Sequence, residues 1–125
     1  MKALSVKQPW ASYIVQGDKN IENRKWPTNY RGRLLIHASL TFDSSAPDYV
    51  VAHHFTYGAI IGCVDVVDVV RHHESPWFSG PYGWVLENAR TFTPIRWRGM
   101  PGLFEVPDEK LWGTAINQYG KANLP

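Results

Sequence analysis

Residues 59–70, Ala-Ile-Ile-Gly-Cys-Val-Asp-Val-Val-Asp-Val-Val, form the longest apolar segment of the chain, and their β-branched side chains favour extended backbone. A strand this apolar has to be covered, so the remaining sequence must supply strands beside it and side chains over it. Residues 33–39, Arg-Leu-Leu-Ile-His-Ala-Ser, read as a second such strand, apolar enough to be buried on both faces. Gly62 inside the longer segment predicts a bulge or a close backbone approach. Cys63 beside it is the one cysteine of the chain, which excludes an internal disulfide and points to a buried thiol. The 125 residues suit one domain, and 44% apolar content with 14% aromatic rings is enough for a core.

Around these two strands the chain reads in order. Residues 2–6 alternate as a strand. Residues 8–16 read as one short helix, with Pro9 at its first position and Trp10/Ile14 and Ala11/Val15 at the i, i+4 spacing of a buried stripe. Gly17 stops it. Residues 19–24 then read as a strand with Lys19, Ile21 and Asn23 on one side and Asn20, Glu22 and Arg24 on the other. Residues 25–32 carry proline, asparagine and glycine and read as a loop. Its Trp26 and Tyr30, beside Lys25 and Arg31, either cap the core or stack on unpaired bases. Ser45 reads as the cap of a second helix closing near Tyr57-Gly58. Residues 75–82 form a loop rich in rings, with Trp77, Phe78 and Tyr82. Strands are expected at 83–92, 95–98 and 103–106. The domain is expected to span residues 1–107, and residues 108–125 form a C-terminal extension with a helical turn around Leu111-Trp112.

Charge is unevenly placed. Residues 1–33 hold seven cations against two acids, residues 34–89 one cation against six acids, so the blocks carry +5 and −5. A basic face favours a phosphate-bearing partner. Asp65 and Asp68 are three apart, which turns them to opposite faces of a regular strand unless a bulge intervenes. The doublets His53-His54 and His72-His73 lack the ligand spacing of a zinc site, so no metal and no cofactor is expected. His37, alone in an apolar strand, reads as a satisfied core residue. No apolar run approaches the 18 residues of a membrane span and the N-terminal residues do not make a signal peptide, so a cytoplasmic location is expected.

Four ordered motifs resemble the ASCH (activating signal cointegrator homology) domain: Gln8-Pro9-Trp10-Ala11-Ser12, the spacing Gly17-x-Lys19-x-x-Glu22-x-Arg24-x-Trp26, Arg31-Gly32-Arg33-Leu34, and residues 58–65. The likeness covers most of residues 3–106. Together with the order of helix and strands it implies an α+β domain. The expected core is a small, strongly curved, mostly antiparallel β-barrel of the PUA-like superfamily, with peripheral helices. That superfamily mostly recognises RNA or modified bases. The resemblance therefore implies RNA, another single-stranded nucleic acid or a modified nucleoside as partner. It also implies a ligand set of Gln8, Pro9, Trp10, Lys19, Glu22, Arg24, Trp26, Arg31, Arg33 and His37, in a groove near Trp26 and Trp77.

Hydrolysis is the competing expectation. Amidohydrolases of the superfamily that act on N4-acetylcytidine carry Gly-x-Lys-Thr-x-Thr-x-Arg. This chain keeps Gly17, Lys19 and Arg24 but has Asn20 and Glu22 at the threonine positions. Some ASCH proteins are ribonucleases. In that case Lys19 would clamp charge and Glu22 or His37 would carry the proton.

Overall fold

The computed structural model describes residues 1–108. Six strands form one sheet: β1 (Lys2–Gln8), β2 (Ile21–Arg24), β3 (Gly32–Phe42), β4 (Ala59–Val70), β5 (Tyr82–Arg96) and β6 (Leu103–Glu105). Their order is β2-β5-β4-β3-β1-β6. Only β1 and β3 pair in parallel, and the one α-helix among the described residues, α1 (Trp10–Val15), lies in the crossover between them. Every other ladder is antiparallel.

The two apolar strands predicted from sequence, β3 and β4, are the interior of this sheet. Leu34, Ile36 and Ala38 of β3 pack with Ala11, Ile14 and Val15 of α1 on one side. On the other side Leu35 packs with Ile60, Cys63, Phe92 and Phe104, all from strands. This second core, drawn from β1, β3, β4, β5 and β6 with no helix over it, requires the sheet to bend over itself. It nevertheless stays open. The four-residue β2 and the three-residue β6 stand at opposite edges of the ladder, so the expected closed barrel is corrected to a curved, open, mostly antiparallel sheet.

Gly62 is a close-approach position as predicted. A Cβ there would lie 2.1 Å from the Arg90 carbonyl oxygen and 2.8 Å from Val15 Cβ, because α1 and β5 both press on β4 at this point. The ladder shifts register on either side of it. Strand β5 runs unbroken through residues 93 and 94, where the sequence predicts a gap between two strands. Its pairing with β4 resumes at Ile95 and Arg96.

The second helix is absent among the described residues. Asp43 Oδ1 accepts both the N–H and the hydroxyl of Ser45, so the side chain expected to cap a helix is engaged behind itself. Local bonds from Ala46 N–H to the Asp43 carbonyl and from Val50 N–H to the Pro47 carbonyl make turns instead. Only a 3-10 turn, Ala52–His54, remains. The rings of His53 and His54 pack edge to face there, with centroids 4.6 Å apart. Leu111 and Trp112 lie outside the described residues. Among the described residues no helix is long and apolar enough to cross a membrane.

Candidate functional site

The end of α1 fixes the site. Gly17 takes φ +88, a conformation open to glycine, and the N–H groups of Asp18 and Lys19 both donate to the Tyr13 carbonyl at 3.0 Å. The chain is thereby wrapped beneath the helix end for two residues before β2 begins at Ile21. The alternation predicted from residue 19 onward therefore fails at Lys19. Its side chain joins Glu22 and Arg24 on one side of β2 instead of facing away from them.

These three side chains form one ion-pair chain. Lys19 Nζ lies 3.6 Å from Glu22 Oε1 and donates to the Ile21 carbonyl. Glu22 Oε2 accepts from Arg24 Nε at 2.9 Å and is ion-paired with Arg24 Nη2 at 2.9 Å. Arg24 Nη2 also donates to the Ser5 carbonyl at 2.8 Å, which pins the guanidinium to β1. Among the described residues Arg24 Nη1 has no partner, so the held fork keeps two N–H donors available to a ligand in the cleft it lines. Lys19 and Glu22 are buried, at 6% and 8% exposure. Burial pulls the Lys19 ammonium below its usual pKa range, and the adjacent Glu22 carboxylate works against that.

Aromatic rings surround the cations. Lys19 Nζ sits 5.8 Å from the centroid of the Trp77 ring. Trp77 packs edge-on against Trp10 at 6.1 Å. Trp10 Nε1 donates to Asp43 Oδ2 at 2.8 Å, and this bond, followed by those from Ser45, holds the Asp43 carboxyl down to about 2. Trp26, 37% exposed, stands edge-on to the buried Trp84 at 5.0 Å. The loop carrying Trp77 is tied to β2. Asn23 Nδ2 donates to the Trp77 carbonyl, and Asn23 Oδ1 accepts from the N–H groups of Ser79 and Gly80. Ser75 Oγ donates to Asn20 Oδ1.

The result is a cleft of about 730 Å³. Of the residues expected from sequence, Trp10, Lys19, Glu22, Arg24 and Trp26 line it together. Sequence reasoning placed Trp77 near it as well. The polar residues missed include Ser39 and Thr41 of β3, Asp43 just past its end, Ser5 and Lys7 of β1, Asn23 of β2, and Lys25 and Ser79 in the loops. Beyond residue 39, β3 continues as Leu40-Thr41-Phe42, an alternation too short to stand out against the apolar run before it, so its polar positions do not read as part of the site. The lining cations Lys7, Lys19, Arg24 and Lys25 face the acids Glu22 and Asp43, leaving a net +2.

Five expected residues lie elsewhere. Gln8 is fully buried, and its amide donates to Ser12 Oγ and the Thr56 carbonyl while accepting from the Ser12 N–H. It caps α1 and has no donor left over. Pro9, also buried, occupies the N-cap of α1, one position before the predicted one. Arg33 Nε bonds Asp65 Oδ1 at 2.9 Å, and Arg31 Nη2 lies 3.8 Å from Asp68 Oδ1. These pairs also account for Asp65 and Asp68: each serves an arginine. His37 is 2% exposed. Its Nε2 bonds the Trp97 carbonyl at 2.6 Å, so Nε2 carries the proton and Nδ1 accepts from the Ser5 hydroxyl at 2.9 Å. Burial pushes its pKa below 6.5, with the bond to Trp97 opposing. Among the described residues no group of three His, Cys, Asp or Glu side chains is placed to hold a metal ion.

Comparisons with known proteins agree with this architecture. Human activating signal cointegrator 1 is 40% identical over an alignment of 147 residues that takes in 96% of this chain. The mouse protein of the same name is 38% identical over 87 residues, or 57% of this chain. The chain spans only 24% and 15% of the length of those two relatives. Two crystal structures from Zymomonas mobilis share the fold. The ASCH protein superposes with a TM-score of 0.59 at 17% identity, covering 89% of this chain and 90% of that one. A tyrosine-to-phenylalanine mutant of the same bacterial protein gives 0.60 at 15% identity, covering 90% and 94%. Residues 4–96 match the ASCH domain, and the chain belongs to that family.

Proposed function

We propose that the cleft binds single-stranded RNA, or a modified nucleoside, by seating one unpaired base among tryptophan rings while Lys19 and Arg24 hold its phosphate or a base carbonyl. The observation that carries this reading is the convergence of Lys19 and Arg24 on the single carboxylate of Glu22, beside Trp77. One carboxylate leaves the pair with a surplus positive charge in a partly dry site, where charge-assisted bonds to an anion are strong. The cleft volume lies within the roughly 300–1,000 Å³ of small-ligand pockets. Exposed Trp26 offers a face on which any base stacks. Membership in a PUA-like family favours the same class of ligand.

Hydrolysis is a second reading, favoured by one observation: burial lowers the Lys19 pKa and so raises its neutral, nucleophilic fraction. Against it, Asn20 and Glu22 stand where the N4-acetylcytidine amidohydrolases of the superfamily carry their threonines. Fluorescence anisotropy with a labelled uridine-rich RNA over a range of salt decides the binding reading. Affinity is expected to fall as salt rises, with a log–log slope of about −0.7 per phosphate neutralised. Lys19→Ala and Arg24→Ala should each weaken binding by roughly 10- to 100-fold, from charge-assisted bonds worth about 1.5–3 kcal/mol. Binding that ignores salt or both substitutions would contradict the proposal. Turnover of N4-acetylcytidine or of labelled RNA that collapses in Glu22→Gln would move the assignment to hydrolysis.

A further inference from the structure

A second groove, of about 760 Å³, lies on the far side of Ser5 from the cleft. His37 and residues 96–101 line it with Leu40 and Tyr57. Ser5 and Ser39 line both cavities. Ser5 is the partition: its carbonyl holds Arg24 on the cleft side, and its hydroxyl holds His37 on the other. The far wall is built in place. Trp97 donates its N–H to the Gly58 carbonyl at 3.1 Å and accepts from His37 through its own carbonyl. A Cβ on Gly99 would fall 2.6 Å from Ser5 Oγ and 2.7 Å from His37 Cε1, so this segment rests directly on the partition.

The chemistry of this groove differs from the other basic positions of the domain. Lys2, Arg31 and Arg33 each face an acid. Arg96 and Arg98 are exposed, no acid lines the groove with them, and among the described residues neither makes an ion pair or a side-chain hydrogen bond. Beside them stand two of the most exposed apolar side chains of the domain, Leu40 at 83% and Met100 at 56%. Unpaired guanidinium groups next to open apolar surface, continuous with a base-sized cleft across two serine hydroxyls, match the alternation of phosphate and base along a strand.

We infer that this groove takes the nucleotides adjoining the base in the cleft, so that one RNA strand crosses the Ser5–Ser39 partition with its phosphates toward Arg96 and Arg98. The inference rests on the binding reading above and narrows it: the ligand is a strand of several nucleotides and not a free nucleoside.

Anisotropy of the full chain with labelled uridine dimers and octamers tests it. The octamer should bind at least about tenfold more tightly than the dimer, through the added phosphate contacts. The R96A/R98A double variant should lose roughly tenfold in octamer affinity and shallow the salt slope by about 1.4, two phosphates' worth. Dimer affinity should not change. R98E, a single exposed substitution, should weaken the octamer in the same way, and circular dichroism checks that both variants fold. Equal affinity for dimer and octamer, or an octamer affinity untouched by R96A/R98A but lost in R24A, would overturn this inference and leave the cleft reading standing. An octamer affinity untouched by R24A would overturn both. A dimer of the chain in sedimentation equilibrium that R96A/R98A abolishes, with octamer binding unchanged, would assign the groove to a second copy and likewise overturn it.

Discussion

Glu22 is the single anion between two cations, and its removal separates their roles. Glu22→Gln keeps a hydrogen-bond acceptor for Arg24 and deletes the charge. RNA affinity should hold or rise, because the internal competitor for Lys19 and Arg24 is gone. Folding stability should fall by about 1–3 kcal/mol, the cost of leaving buried polar groups poorly paired. Urea unfolding and anisotropy on the same preparation check both, and a fall in affinity would count against the cleft as an anion site. His37 supplies a pH prediction. Its folded pKa lies below the 6.5 of the unfolded chain, so as pH drops under 6.5 the unfolded state binds more protons and stability declines toward the folded pKa. Urea midpoints should therefore fall between pH 7 and pH 5, and His37→Gln should flatten that fall; an unchanged slope would exclude His37 as its source. The sequence carries the identity of Lys19, Glu22 and Arg24 but not their common side, which depends on two amides sharing the Tyr13 carbonyl. Nor does it carry the bond from Gln8 to the Thr56 carbonyl or the pairing of Arg31 and Arg33, since each of these depends on a partner at least 30 positions away.

Among the elements, the loop of residues 75–81 depends most on one side chain. Asn23 holds it through three bonds, of 2.9, 2.9 and 3.0 Å, and so sets the position of Trp77 over Lys19. Asn23→Ala should weaken RNA binding about tenfold through lost preorganisation while costing about 1–3 kcal/mol in stability. Hydrogen exchange should show the amides of Ser79 and Gly80 losing protection, and retained protection would contradict this role. The strands β3 and β4 are legible in the sequence because long β-branched apolar runs leave little choice of conformation. The second helix is not there to be read, because the Ser-x-x-Asp pattern at Ser45 says nothing of Asp43, whose carboxylate takes the serine first. Strand β5 looks divided because Pro94 and its polar neighbours resemble a break. Its ladder simply skips those positions and resumes at Ile95.

At the scale of the whole molecule, the basic N-terminal block does not become one basic face. Lys7, Lys19, Arg24 and Lys25 gather in the cleft, while Lys2, Arg31 and Arg33 are matched by acids from later in the chain. The acidic block of residues 34–89 supplies Asp65 and Asp68 for two of those matches, so part of the opposed charge cancels there while four cations remain in the cleft. Proton–nitrogen correlation spectra of the tryptophan indoles, recorded during titration with a uridine octamer, report on this arrangement directly, because the rings are distributed through the fold. The indole signals of Trp10, Trp26 and Trp77 should shift most, that of Trp97 in the second groove should shift with the octamer but not with a dimer, and Arg24→Ala should suppress these changes. Binding of the octamer with all three cleft indoles unmoved, and shifts confined instead to the backbone around Arg31 and Arg33, would contradict the assignment of the cleft as the binding site.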